Sequence, residues 1–266
     1  MLERLVTNAT TDWRVGESRY GALLTPQGKV IADYLACRTE DGALLDVARE
    51  YVDDLAKRLK MFRLRSQVAI EVLDGLFIHA SLEDAPSETN SADGAEHVYR
   101  DPRYQGGRLR ALVRSRDWAM GAQSLDDYHT DRIAHVVPEQ GADFGTAEVF
   151  PADINMDVLS GVALNKGCFV GQEVVSRMHR RGKIRKRTLR VETPGLINPP
   201  KGTEIKAPHP IATITSSVGH HALALTRVDR LLSAEQAGET PVIDETPVTI
   251  EKPAWLLAAL APMEDT

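Results

Sequence analysis

The sequence predicts an α+β protein that ends in a small β-barrel, and three observations carry that reading. Strand-like runs and a helical run alternate through the first 80 residues, the pattern of helices packed on an antiparallel sheet. After Arg185 the chain turns to short β-like runs between Pro- and Gly-rich turns such as Asn198-Pro-Pro-Lys-Gly202, which suits a barrel or sandwich. With 266 residues, 42% of them hydrophobic and 26% charged, the composition is that of a globular protein able to bury a real core.

The elements follow in order. Val15–Arg38 reads as a hairpin, with apolar Ala22-Leu23-Leu24, the turn Thr25-Pro-Gln-Gly28 and then Val30–Leu35. Ala43–Val47 is a short apolar strand. From Ala48 to Met61, Val52, Leu55, Ala56 and Leu59 recur at helical spacing. Gln67–Leu73 alternates and predicts a strand, as does Leu76–Ala80, and Ser81–Asp93 is polar and predicts a surface loop. Leu125–Val137 predicts a helix with Leu125, Tyr128, Ile133 and Val136 on one face, closed by Pro138. Thr188–Glu192, Ile211–Ser217, Ala222–Val228 and Val248–Glu251 are the strands of the terminal unit. The division expected is 1–80 and 81–187, both α+β, and 188–266 as the barrel.

Charge and cysteine content exclude several classes. A net charge of -6 argues against a protein that coats nucleic acid. Two cysteines, Cys37 and Cys168, cannot staple a small domain, so a reducing compartment is the default. No apolar run reaches the roughly 18 residues of a membrane span. The opening residues carry Glu3, Asp12 and Glu17 without an apolar stretch, unlike a signal or transit peptide. The expectation is a cytoplasmic protein without a membrane partner.

Three features carry chemistry. In Asn165-Lys-Gly-Cys-Phe-Val-Gly-Gln-Glu-Val-Val175, Cys168 precedes a helix expected from about Val170 to His179, with Lys166 nearby. A helix N-terminus and a cation both favour thiolate over thiol, and Gly167 and Gly171 permit unusual backbone angles or close approach of a ligand. A small residue filling a turn is the competing reading, and the two stand level on the residues alone. No Cys/His set has metal spacing, so a self-contained metal site is not expected. Arg177–Arg190 holds eight Lys/Arg and no acid, fit for RNA phosphates or a polyglutamate tail, although a solvated helix end explains it as well. Asp33 follows a tight turn and can accept a ligand N–H or act as a base, but such a residue is more often simply exposed. His209, His220 and His221 read as surface residues.

Lys166-Gly-Cys-Phe-Val-Gly-Gln-Glu173 resembles the K-G-C-[FY]-x-G-Q-E signature of the YgfZ family, relatives of the glycine-cleavage aminomethyltransferase (T-protein) and of mitochondrial iron–sulfur assembly proteins. Further stretches are similar to that family: Leu24-Thr-Pro-Gln-Gly-Lys-Val-Ile-Ala-Asp33, Lys60–Ser66, Asp101-Pro-Arg103, Pro151-Ala-Asp-Ile-Asn155, Val174–Gly182 and Ile214–Arg227. The resemblance implies a T-protein-like multidomain ring, ferredoxin-like α+β parts around a central folate pocket, with the barrel at the C-terminus. It implies a folate-binding protein that supports iron–sulfur cluster assembly or repair and so affects radical tRNA-modifying enzymes. Cys168 is then the functional thiol, set among Lys166, Gly167, Gly171, Gln172 and Glu173, and one donor to a transient iron–sulfur cluster. Asp33, Asn8, Asn155 and Arg177 become the contacts of tetrahydrofolate or another folate derivative. Partners are iron–sulfur enzymes or assembly factors. Two alternatives stay open: a tetrahydrofolate-dependent aminomethyltransferase, and a tRNA-binding module using residues 177–190.

The chain departs from the family in four places. Met1–Asn8 resembles a segment that lies inside the family's N-terminus, so the family's first strand and helix are expected to be missing. Ala9 stands where relatives often carry Asp, and Ala32 removes the first of two adjacent carboxylates. Asp153 replaces the Glu of P-x-E-x-N, a change of one methylene that moves a ligand contact by about 1 Å.

Overall fold

The computed structural model describes residues 1–84, 93–117, 124–180 and 184–260. Its first sheet is antiparallel: β1 (Ser18–Leu24), β2 (Val30–Arg38) and β3 (Ala43–Asp46) in that order. The hairpin closes where the Gly28 N–H donates to the Thr25 carbonyl at 2.8 Å. Gly28 adopts φ +82°, a conformation that favours glycine. Alternation along β2, shifted by the irregularity that leaves Ile31 unpaired, splits the sheet between two cores. Ile31, Tyr34 and Ala36 meet Leu55 and Leu59 of α1 (Val52–Phe62). Leu35 and Cys37 face Tyr99, Phe144 and Met156 on the other side.

Gln67–Leu73 is not a strand. Its pattern has the right period, but the free edge of β1 is already taken. Val6 bridges Leu23 there, the Thr7 N–H donates to Ala22 O, and the Ala22 N–H donates to the Thr7 hydroxyl. Val68 and Leu73 are exposed, and of this segment Ile70 packs against the α1 core.

A second antiparallel sheet has the order β4 (Phe77–Asp84), β6 (Arg108–Val113), β5 (Ala95–Arg100). The predicted loop from Ser81 is therefore corrected at its start. Residues 81–84 belong to β4, because Ser81 Oγ accepts the Leu109 N–H at 3.0 Å and Asp84 pairs with Arg108. The stretch 85–92 lies outside the described residues. α2 runs Leu125–Ala134, started by a reciprocal cap in which Ser124 and Asp127 each accept the other's backbone N–H. This start leaves Leu125 exposed, contrary to the predicted face, while Arg132 and Ile133 point inward. The helix also stops earlier than predicted. Val136 takes φ +55°, and the residue before Pro138 is disfavoured from helical geometry.

After α3 (Gln172–Arg180), the C-terminal strands are β7 (Lys186–Glu192), β8 (Glu204–Lys206), β9 (Pro210–Val218), β10 (His221–Arg227), β11 (Val242–Ile243), β12 (Thr246–Pro247) and β13 (Thr249–Ile250). They form one sheet in the order β12-β11-β8-β9-β10-β7-β13. Its two end strands are separated in sequence by Val248 alone, so the sheet must curl until its ends meet. That closure makes a barrel filled by Leu189, Val191, Ile205, Ile211, Ile214 and Leu231, the last from α4 (Val228–Gln236). α5 (Ala254–Leu260) adds Leu256 to the same core. No described helix is long and apolar enough to cross a membrane.

Candidate functional site

Asp33 sits in the middle of β2, and the hairpin register decides its surroundings. Ala22 lies directly opposite it and Tyr20 opposite Leu35, so Tyr20 is its diagonal neighbour on the same face. The Tyr20 hydroxyl donates to Asp33 Oδ2 at 2.9 Å. Among the described residues, Tyr20 is the one side-chain donor recorded on this carboxylate, and it takes Oδ2. Against the expectation of an ordinary exposed strand residue, Asp33 is 7% exposed. Burial pushes its carboxyl up to about 6, against the pull of Arg103 and the Tyr20 hydroxyl and with a further push from Glu139 and Asp46. A carboxylate held there accepts an N–H donor well and can exchange a proton near neutral pH.

Arg103 acts on this carboxylate, and it and the neighbouring buried Arg110 are both already committed. Arg103 makes a bidentate pair with Asp101 at 2.6 and 2.9 Å, and its guanidinium lies 5.4 Å from the Tyr20 ring centroid. Arg110 donates to Asp46 at 2.8 Å, and Asp46 also accepts the Tyr99 hydroxyl at 2.6 Å. Among the described residues Asp33 itself forms no ion pair, as is also true of the buried Asp153. From the other side, the Asp33 N–H donates to Gln140 Oε1 at 3.0 Å while Gln140 Nε2 donates to Ile31 O at 2.9 Å.

The signature around Cys168 docks on the hairpin turn, far along the strand from Asp33. A Cβ on Gly171, which has φ +81°, would stand 2.7 Å from Thr25 O and 3.0 Å from Gly28 Cα. Four residues lie between Gly28 and Asp33, a span of at most about 16 Å. Phe169 is buried in the core shared with Tyr20 and Leu24, whereas Cys168 is exposed. Gly167 needs no special backbone angle and has open space around it, so of the two glycines Gly171 is the one the backbone requires. Lys166 points away from the role expected for it beside the thiol. Its ammonium donates to Val6 O and Asn8 O at 2.8 and 2.7 Å and pairs with Glu3 at 3.6 Å. Burial pulls its pKa down and Glu3 opposes this. Gln172 reaches back to Lys166 O, and Glu173 is exposed. The other cysteine, Cys37, is buried with its Sγ 3.0 Å from His97 Nε2, and burial raises its thiol to about 11.

The other predicted residues are used elsewhere. Asn8 spends its amide on Tyr20 O and Ser160 O, and its Oδ1 accepts the Ala9 N–H. Asn155 (φ +59°) is 2% exposed and donates to Thr188 O at 2.7 Å, leaving Oδ1 buried without a partner. Arg177 is exposed on α3. The basic run is partly structural: Arg187 holds Asp157 with two bonds at 2.5 and 2.8 Å, and Arg190 lies near Glu192 and Glu251. Residues 181–183 lie outside the described residues. Sequence reasoning missed Tyr20 and Gln140, and quoted Arg103 without assigning it to a site. The hairpin register was a signal for Tyr20; nothing local marks Gln140. Among the described residues no cluster of three or more His, Cys, Asp or Glu could hold a metal ion.

Comparison with known proteins adds to this geometry. The family model for the CAF17 C-terminal beta-barrel domain matches residues 185–257. The chain is 29% identical over 238 residues to the mitochondrial iron–sulfur cluster assembly factor IBA57 of Mus musculus, covering 80% of this chain and 65% of that protein. To the Homo sapiens protein of the same name it is 30% identical over 183 residues, covering 63% and 51%. The chain thus spans less than two thirds of the length of these curated relatives. Both are named as mitochondrial, a different compartment from the cytoplasmic one the sequence suggests here. In fold the chain is similar to glycine cleavage system aminomethyltransferase T from Bartonella henselae, with a TM-score of 0.67 over 86% of this chain and 73% of that one, at 13% identity. The mixed α+β, T-protein-like fold with a terminal barrel is the one the sequence predicted.

Proposed function

We propose that this member of the CAF17/IBA57/YgfZ family supports the assembly or repair of iron–sulfur clusters, with Cys168 as its working thiol and a folate at Asp33. The observation that carries this reading is the contrast between the two cysteines. Cys37 is sealed in the core beside His97, whereas Cys168 stands exposed on a loop pinned by Gly171, Phe169 and Lys166. A cluster is substrate here: one exposed thiolate supplies a single donor, and the remaining thiolates come from the client or from an assembly partner. Radical tRNA-modifying enzymes are the clients that the family resemblance suggests.

The residues at Asp33 fit a folate. A pterin ring presents ring and amino N–H donors, and among the described residues no donor is recorded on Asp33 Oδ1, the Tyr20 hydroxyl taking Oδ2. Asp33 would bind and orient that edge, while Tyr20 fixes the carboxylate and the neutralised Arg103–Asp101 pair keeps the surroundings free of a competing cation. A reduced folate, when bound, supplies a carrier for one-carbon units. The T-protein-like fold favours a second reading, aminomethyl transfer to tetrahydrofolate, against which stand Ala32 and the signature cysteine.

The test is Cys168→Ala expressed in cells lacking the protein, with the product of a radical tRNA thiotransferase as readout. Loss of product supports the thiol role, and full rescue removes it. Tetrahydrofolate titration of the wild type and Asp33→Ala tests the ligand. Formation of methylene-tetrahydrofolate with a lipoyl carrier protein would favour the second reading.

A further inference from the structure

The segment between α2 and the 151–154 turn makes contacts that none of the site residues explains. Asp143, 6% exposed, gathers four donors: Arg132 Nη1 at 2.6 Å, the Glu139 N–H at 2.9 Å, and the hydroxyls of Thr215 and Ser216, both at 2.6 Å. Thr215 and Ser216 belong to β9 of the barrel, and Arg132 is a fully buried residue of α2. Lys201, also from the barrel unit, donates to Ala142 O at 2.6 Å. Three residues before Asp143, the Gln140 amide closes both hydrogen bonds of β2 at Ile31 and Asp33. It stands where a neighbouring strand would, because β3 pairs with β2 only from Leu35 onward. Gly141, at φ +92°, donates its N–H to Phe144 O at 2.9 Å and makes the turn that holds the two residues together.

We infer that Gln140 is a positioning residue for Asp33 and that Asp143, gripped by Thr215 and Ser216, makes this positioning depend on the docked C-terminal barrel. The barrel reaches Asp33 through a short, buried chain of hydrogen bonds with defined geometry. Removing the two hydroxyls leaves Asp143 with unmet lone pairs and frees the 139–144 turn to shift. Gln140 then loses its register on β2, and water gains access to Asp33. Four groups set the charge that Asp33 feels: Tyr20 from β1, Asp46 from β3, Arg103 from the turn after β5, and Glu139 from this turn itself, with the Tyr51 hydroxyl before α1 also within its field. Of these, Glu139 moves with the turn. Loosening it withdraws both the burial and the Glu139 charge that disfavour ionisation, so Asp33 ionises at lower pH.

The inference rests on Asp33 being the folate site only for its consequence in binding; the coupling itself is read without ligand. Carbon-13 NMR of the Asp side chains, assigned by Asp33→Asn, follows the Asp33 midpoint in the full chain. The variants are Thr215→Val with Ser216→Ala, and Thr215→Ser alone, which keeps its hydroxyl. The control is Ile250→Val, a trim of the barrel core that leaves the network intact. The double variant is expected to lower the Asp33 midpoint by about half a pH unit or more, with Thr215→Ser and Ile250→Val at the wild-type value. Tetrahydrofolate affinity is expected to fall about 3- to 10-fold in the double variant alone. An unchanged midpoint in the double variant, or an equal fall in Ile250→Val, overturns the inference. If the midpoint moves and the wild type binds no tetrahydrofolate, the coupling stands and the folate reading fails. If binding requires Asp33 but the double variant matches wild type in both measurements, the reverse holds.

Discussion

Gly171 and Gly28 touch: a Cβ on Gly171 would sit 3.0 Å from Gly28 Cα, and one on Gly28 would sit 3.0 Å from Val174 Cβ. Two stretches of sequence more than 140 residues apart, the hairpin turn and the Cys168 signature, are thereby one structural unit. The loop that carries the exposed thiol is held by backbone packing at glycine together with the Phe169 and Lys166 contacts.

Gly171→Ala is therefore expected to destabilise the fold. Its φ of +81° costs a non-glycine residue roughly 1–3 kcal/mol, and the added methyl meets Thr25 O at 2.7 Å. Urea denaturation should show a loss of about 2–4 kcal/mol, and Gly167→Ala, in open space, should lose under about 1 kcal/mol. Equal losses would show that the glycine contact is not what fixes the loop.

The stability of the protein should fall as pH rises from about 4 to about 6, in the part that Asp33 governs. The sign follows from linkage. The folded carboxyl titrates at about 6 against an ordinary 3.8, so in that window the folded state binds the extra proton. Stability then drops with rising pH and is level above it. The full effect is on the order of 2–3 kcal/mol. Asp33→Asn should flatten the difference between denaturation curves at pH 4.5 and pH 7; an unchanged difference would assign the slope to other groups.

A thiol-reactive chromophore should label one cysteine of the native chain rapidly and the second only on unfolding. Cys168 is exposed, while Cys37 is buried with its thiol pushed up to about 11, and the thiolate is the reactive form. Mass spectrometry should place the native label on Cys168; early label on Cys37 would show that its core opens.

Asp157→Ala should cost about 3–5 kcal/mol, because it strands the buried guanidinium of Arg187. That pair is 7% and 13% exposed, with bonds of 2.5 and 2.8 Å, and it ties the barrel's first strand to the 151–157 segment. Glu251→Ala, on the partly exposed Arg190 at 3.5 Å, should cost under about 1 kcal/mol.

Periodicity and turn chemistry were enough for the hairpin at Thr25–Gly28, for α1, and for β7, β9, β10 and β13 of the barrel, whereas the two- and three-residue strands β8, β11 and β12 are too short to carry a period. The same local pattern misled at Gln67–Leu73, where a strand needs an edge and the residues at Val6 and Thr7 had taken it. It misled again at Leu125, where the Ser124 cap fixed the helix start and turned that side chain to solvent. The Arg177–Arg190 run was open to two readings, a basic ligand site or a solvated helix end and linker, and Asp157 and Glu251 pair with members of it from distant positions.

By itself, the sequence determined the α+β class, the terminal barrel, the helix that follows Cys168 and the identity of the two residues on which function is proposed, Cys168 and Asp33. Only the tertiary structure decided their environments. It buried Asp33 between Tyr20 and Gln140, left Cys168 in solvent, and turned Lys166 toward Glu3 and the carbonyls of Val6 and Asn8. The physical reason is range: periodicity and capping act over one or two turns of chain. Burial, charge pairing and the pKa of a carboxyl depend on whichever distant segments pack around it.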